Sequence, residues 1–378
     1  MIEDYLSGAI IQSIARARLL SNDIDGSNDV AYDGLRQLCG ERLDKVINGL
    51  RTLEAELVVD QFLQGPSRLR RYQRLNRALL EIETIGANAL VSQDERSRDL
   101  TAMVRSICTD MSYPLVPPTI CNNSRDYIFI YPDYDLIMVP LLEGRFLLHL
   151  PDLFHELAHP FLSERFKERL SVEPYRNAAK HAKEAVKCHF RGERKSAERG
   201  RLAAGFVRYL HLWERQWNVY WLEEFFCDAF AAATCGPAYA WSHYHLCAKH
   251  GENAFECSVK QVNEHPADDA RMAVVLGVCR RFGFSEDADA VQTRWEQFLR
   301  IRGDGRAPEY ISAYPQSLID LVCDRVLEAL REMKVRTATP GDLSPWPQLL
   351  NQAWEKFWTQ AESYRNWEES KINVVLSG

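Results

Sequence analysis

Residues 155–159 read His-Glu-Leu-Ala-His, and this run constrains the chain more than any other. On a helix, residues four apart lie on one face, so His155 and His159 can both reach one ion. Zinc accepts histidine nitrogen at about 2.0–2.1 Å, and a catalytic zinc keeps one position for water. Glu156 then stands beside that water and can take its proton. The flanks favour a helix. Leu150, Leu153, Phe154, Leu157, Ala158, Phe161 and Leu162 form an apolar stripe, and Pro151-Asp152 suits a first turn. Pro160 removes the backbone bond to the Glu156 carbonyl, so a kink or an end is expected there.

Two histidines need a third protein ligand. Trp217, Trp221, Glu224 and Asp228 recur at spacings of four, three and four, one helical stripe. The tryptophans turn that stripe inward, and a buried carboxylate is costly unless it is paired or binds metal. Zn²⁺ held by His155, His159 and Glu224 resolves the cost, with Asp228 fixing the tautomer of a ligand histidine. Glu223 adjoins Glu224, but only Glu224 lies four before an aspartate.

An HExxH followed by ExxxD resembles the gluzincin metallopeptidases. His265-Pro266, with Arg271 six positions after the histidine, resembles an element of the membrane-embedded prenyl-protein peptidases and their heat-shock-induced bacterial relatives. Together these motifs span roughly residues 150–275. The resemblance implies a zincin-like domain, a peptide or protein substrate and Glu156 as general base. It also implies that His265 or Arg271 stabilises the oxyanion. Those relatives have transmembrane helices. This chain has no apolar run of about 18 residues, so no membrane partner is expected. Tyr239 reads as core packing, and His243 and His245, two apart, read as ordinary.

The first residues predict another module. Tyr5–Leu20, Ala31–Leu38 and Glu41–Leu57 have helical patterns, with Gly40 as a turn. Val58–Gln64 and Arg68–Leu75 flank Gly65-Pro66-Ser67 and predict a hairpin. This order resembles the winged helix of bacterial regulators over roughly the first fifth of the chain. From Gly40 to Ala78, eight Lys/Arg face five acids, a net of +3. That leaves DNA or a protein as the partner of residues 1–78.

The expected fold class is α+β, mostly α-helical. Residues 1–78 form the winged-helix-like module and 79–124 a helical connector. Residues 125–378 form the zincin-like domain, with a small sheet at Tyr127–Tyr131 and Leu136–Val139 and a C-terminal helical lobe. Gly303–Ala307 and Ala338–Pro347 read as loops, and Gln348–Asn373 as a terminal helix. A net charge of −7 excludes a globally basic nucleic-acid protein. Ten scattered cysteines without a C-x-x-C pair, after an acidic start, predict a reduced, cytoplasmic protein. Two functions fit: a soluble zinc peptidase, or a winged-helix regulator or adaptor whose zinc site is structural or inactive. A fourth protein ligand such as His265 would mark the second.

Overall fold

Apolar residues at helical spacing set the first layer. The structure is a computed structural model and describes residues 2–26, 29–59, 65–125, 127–200, 204–250, 253–257 and 262–376. Helix α1 (Ile2–Asp25) buries Ile10, Ile14, Ala17 and Ile24, whereas Ile11 faces solvent. Helix α2 (Asp33–Val59) runs through Gly40 without a turn. Its buried residues Leu35, Cys39, Leu43, Val46, Leu50 and Leu53 keep one helical stripe across that glycine. A glycine costs a helix roughly 1 kcal/mol, less than such a stripe gains by burial.

The hairpin does not form. Val58 and Val59 end α2, and residues 60–64 lie outside the described residues. Gly65–Glu81 is helix α3, with Pro66 in its first turn, where a missing N–H costs nothing. Arg68, Tyr72, Leu75 and Leu79 recur at helical spacing on its covered face. Tyr72 Oη lies 3.2 Å from Ser13 Oγ on α1, and Arg71 Nη1 donates to Glu56 at 2.7 Å. No strand occurs among the described residues of 1–78, and the segment expected as the second hairpin strand lies in helix α3.

A π-turn (Ile82–Ala87), α4 (Asn88–Val91) and α5 (Glu95–Asp110) follow. Asp94 caps α5, its carboxylate accepting from the Ser97 N–H at 2.8 Å. The first part of this stretch packs with α1 and α2, through Ile82, Ala87 and Leu90. Residues from Leu100 onward join the larger C-terminal core.

The sheet has three short strands. β1 (Thr119–Cys121) pairs parallel with β3 (Leu136–Met138), and β2 (Phe129–Tyr131) pairs antiparallel with β3. The order is β1-β3-β2, so β2 is an edge. Pro132–Tyr134 forms the turn expected between β2 and β3, ending at Asp135 with φ 46°.

Helices make up most of the remainder. They are α6 (Asp152–Glu156), α7 (His159–Leu162), α8 (Glu173–Arg199), α9 (Ala204–Gln216) and, after a π-turn (Trp217–Trp221), α10 (Leu222–Cys235). Then come α11 (Pro237–His250), α12 (Asp268–Arg281), α13 (Ser285–Arg302), α14 (Pro308–Ala313) and α15 (Gln316–Glu332). The terminal run is two helices, α16 (Pro345–Thr359) and α17 (Ala361–Leu376), broken at Gln360. Residues 303–307 are a loop as expected, but the next loop ends at Ser344, where Pro345 opens α16.

Helix α10 is the centre of this part. Every residue from Phe225 to Cys235 is buried, against α6, α11, α12 and α15. Gly236, at φ 74°, turns the chain from α10 into α11. The Asn351 amide of α16 braces that turn: it donates to the Cys235 carbonyl and accepts from the Ala238 N–H, each at 2.9 Å. Among the described residues, no helix is long and apolar enough to cross a membrane.

Candidate functional site

The His-Glu-Leu-Ala-His run lies at the junction of α6 and α7. Leu157 and Ala158 interrupt the regular helix but keep right-handed helical dihedrals. The Ala158 and Phe161 N–H groups bond three residues back instead of four. This tightened turn is how the chain accommodates Pro160. The two imidazoles still meet, with ring centroids 5.1 Å apart.

Helix α10 brings its carboxylates to the same place. Glu224 Oε2 lies 3.5 Å from His155 Nε2, and Glu224 Oε1 lies 3.9 Å from His159 Nε2. Ligand atoms about 2.0–2.2 Å from a tetrahedral zinc are roughly 3.3–3.6 Å apart. The 3.5 Å approach matches that spacing and the 3.9 Å approach exceeds it, and the two run to different oxygens of Glu224.

The other ring nitrogens are held by acids. His155 Nδ1 lies 3.0 Å from Asp228 Oδ1, and His159 Nδ1 lies 3.0 Å from Glu223 Oε1. A carboxylate only accepts, so each Nδ1 carries the hydrogen and each Nε2 offers its lone pair to an ion. Without metal, burial disfavours the His155 cation, but hydrogen bonds to Asp228 and Glu224 outweigh it and raise the ring to about 10. Metal binding must therefore displace a proton.

Asp228 is wholly buried, at 0 % exposure, and it is fully partnered. Arg271 donates to it twice, Nε to Oδ2 at 2.8 Å and Nη2 to Oδ1 at 2.7 Å. Tyr239 donates its hydroxyl to Oδ1 at 2.6 Å and lies 3.1 Å from His155 Nδ1. Arg271 thus acts here as a clamp, with Nη2 3.8 Å from Glu224. Tyr239, read from the sequence as core packing, belongs to the site as well. The reach of Glu223 to His159 was likewise not anticipated.

His155, His159, Glu223, Glu224, Tyr239 and Arg271 line a cavity of ≈ 810 Å³ with the β2 edge on one wall. Glu156 faces it, and burial raises its carboxyl against the pull of His159 and His155. His265 stands at the mouth, its side chain 69 % exposed and Nδ1 3.5 Å from Glu224 Oε2.

Ligand atoms of His155, His159 and Cys227 also fall within 4.8 Å of one another. Glu224 faces the cavity and Cys227 does not. Burial, reinforced by Glu224 and Glu223, holds the Cys227 thiol well above its usual range, protonated. A second group, His243, Cys247 and Asp268, meets the same distance limit.

Comparisons with protein-family models, with curated proteins and with solved structures return no match.

Proposed function

We propose that this chain is a zinc-dependent hydrolase, with His155, His159 and Glu224 as ligands of one Zn²⁺. The observation that carries the reading is the approach of both Nε2 atoms to the one Glu224 carboxylate, 13 % exposed, while both Nδ1 atoms are tied to acids. A bound zinc supplies a Lewis acid and makes water acidic enough to be a nucleophile near neutral pH.

Within this class, we propose a metallopeptidase. Glu156, in the same cavity, takes a proton from the attacking water and returns it to the leaving amine. An extended peptide pairs with the edge strand β2, whose Phe129, Ile130 and Tyr131 line the cavity. His265 is the freer donor for the developing oxyanion, since Arg271 spends Nε and Nη2 on Asp228. The free cysteines suit the cytoplasm. With the wing replaced by α3, recruitment to DNA or a protein partner would use the exposed Arg70, Arg74 and Arg77 of that helix.

The test is metal content and hydrolysis of a mixed peptide library. Wild type should hold zinc at this site, and Glu224→Ala should lose it. Glu156→Gln should keep the metal and lose cleavage. Full activity in Glu156→Gln would sink the mechanism. Four protein ligands by X-ray absorption would favour a structural site.

A further inference from the structure

On α11, His243 and Cys247 repeat the i, i+4 spacing of His155 and His159 and line the same cavity. Both are buried, and Asp268, half-buried in the first turn of α12, faces them. His243 Nε2 lies 3.7 Å from Cys247 Sγ and donates to the Asp268 backbone carbonyl at 3.2 Å, so an ion takes this nitrogen once the ring hydrogen moves to Nδ1. One ligand atom from each side chain falls within 4.8 Å of the others. Nitrogen at about 2.0–2.1 Å and sulfur at about 2.3 Å from a tetrahedral zinc are roughly 3.5 Å apart.

We propose that His243, Cys247 and Asp268 bind a second, thiophilic divalent cation, Zn²⁺ being the fitting one. Imidazole, thiolate and carboxylate form a mixed set that excludes magnesium and calcium, which take oxygen ligands. Burial and the Asp268 carboxylate hold the Cys247 thiol well above its usual range, so it gives its proton to water only as the metal–sulfur bond forms. The three groups line the cavity, so a hydrated ion can enter. Once bound, the ion ties α11 to the start of α12, one turn before Arg271. This site does not depend on the hydrolase reading.

The experiment is titration of the metal-free full chain with Co²⁺. Thiolate coordination gives a near-ultraviolet charge-transfer band that a His/His/Glu site cannot give. Wild type should show the band, Cys227→Ser should keep it, and Cys247→Ser should abolish it. Glu224→Ala should also keep it, which separates this site from the first. Cys247 is buried, so Asp268→Asn serves as a second variant at a half-buried helix start. It should weaken the band-forming affinity at least about tenfold. No band in wild type, a band that survives Cys247→Ser, a band lost in Cys227→Ser, or unchanged affinity in Asp268→Asn would each overturn the proposal.

Discussion

Asp228→Asn is the most informative single change, because four donors converge on one carboxylate. His155 Nδ1, Tyr239 Oη, and Arg271 Nε and Nη2 reach its two oxygens at 2.6–3.0 Å. Asparagine keeps the shape but offers one acceptor oxygen, and its NH₂ points at groups that also donate. Arg271 is left buried with only Glu224, 3.8 Å away, as a counter-charge. Removing one partner of a buried ion pair costs about 3–5 kcal/mol. For a large domain this lowers Tm by roughly 6–20 °C, at about 2–4 °C per kcal/mol. Loss of the acid behind His155 should also weaken zinc affinity about 10–100-fold. Denaturant unfolding of the metal-free protein, followed by tryptophan fluorescence, reads the stability, since Trp213, Trp217 and Trp221 are buried near the site. Chelator competition reads the affinity. Arg271→Leu should be comparably destabilising, and the double variant should cost at least about 1 kcal/mol less than the sum. Additive effects, or an Asp228→Asn protein within about 0.5 kcal/mol of wild type, would refute the clamp.

Other outcomes follow from the same geometry. Glu223→Ala should weaken zinc binding about tenfold but cost under about 1 kcal/mol of stability, because that side chain is 44 % exposed. Gly86→Ala should destabilise by about 1–3 kcal/mol, read by thermal melting. Its Cβ would meet Cys39 Sγ at 2.3 Å and the Tyr134 ring at 3.1 Å. Burial pushes Asp152 up to about 6, against the hydrogen bond from Tyr127. The unfolded value is about 3.9, so the native state holds a proton the unfolded chain has lost. That contribution is complete below about pH 4 and is lost as pH rises through about 6, a difference of roughly 2–3 kcal/mol. Asp152→Asn should flatten the stability–pH curve of the metal-free protein over that window, and an unchanged slope would assign it to another group.

What the sequence revealed of the site was local. His155, His159, Glu224 and Asp228 come from two short runs, where helical spacing alone decides which side chains share a face. The run survived Pro160 because a tighter turn kept both rings together. Tyr239 and Glu223 depend on how separate elements meet, and no periodicity encodes that. Tyr239 reaches Asp228 because Gly236 folds α11 back along α10. The hairpin was misread because Gly-Pro-Ser opens a helix as readily as a turn. The spacing of Arg68, Tyr72, Leu75 and Leu79 was the stronger signal. Strand β1 is three residues long, too short for an alternating pattern to register.

The braces of the site lie later in the chain than the site itself. The proposed first metal site and the Arg271–Asp228 clamp are complete once Arg271 has been made. The Gly236 turn, however, waits for Asn351, and Trp217 is held by the Ala313 carbonyl. Leu147, just ahead of the histidine run, waits for the Glu368 carboxylate. A chain emerging from the ribosome therefore carries every ligand well before it carries the supports that align them. The proposed metal centre would be an end product of synthesis, its residues held in a nascent or clipped chain only as loose parts.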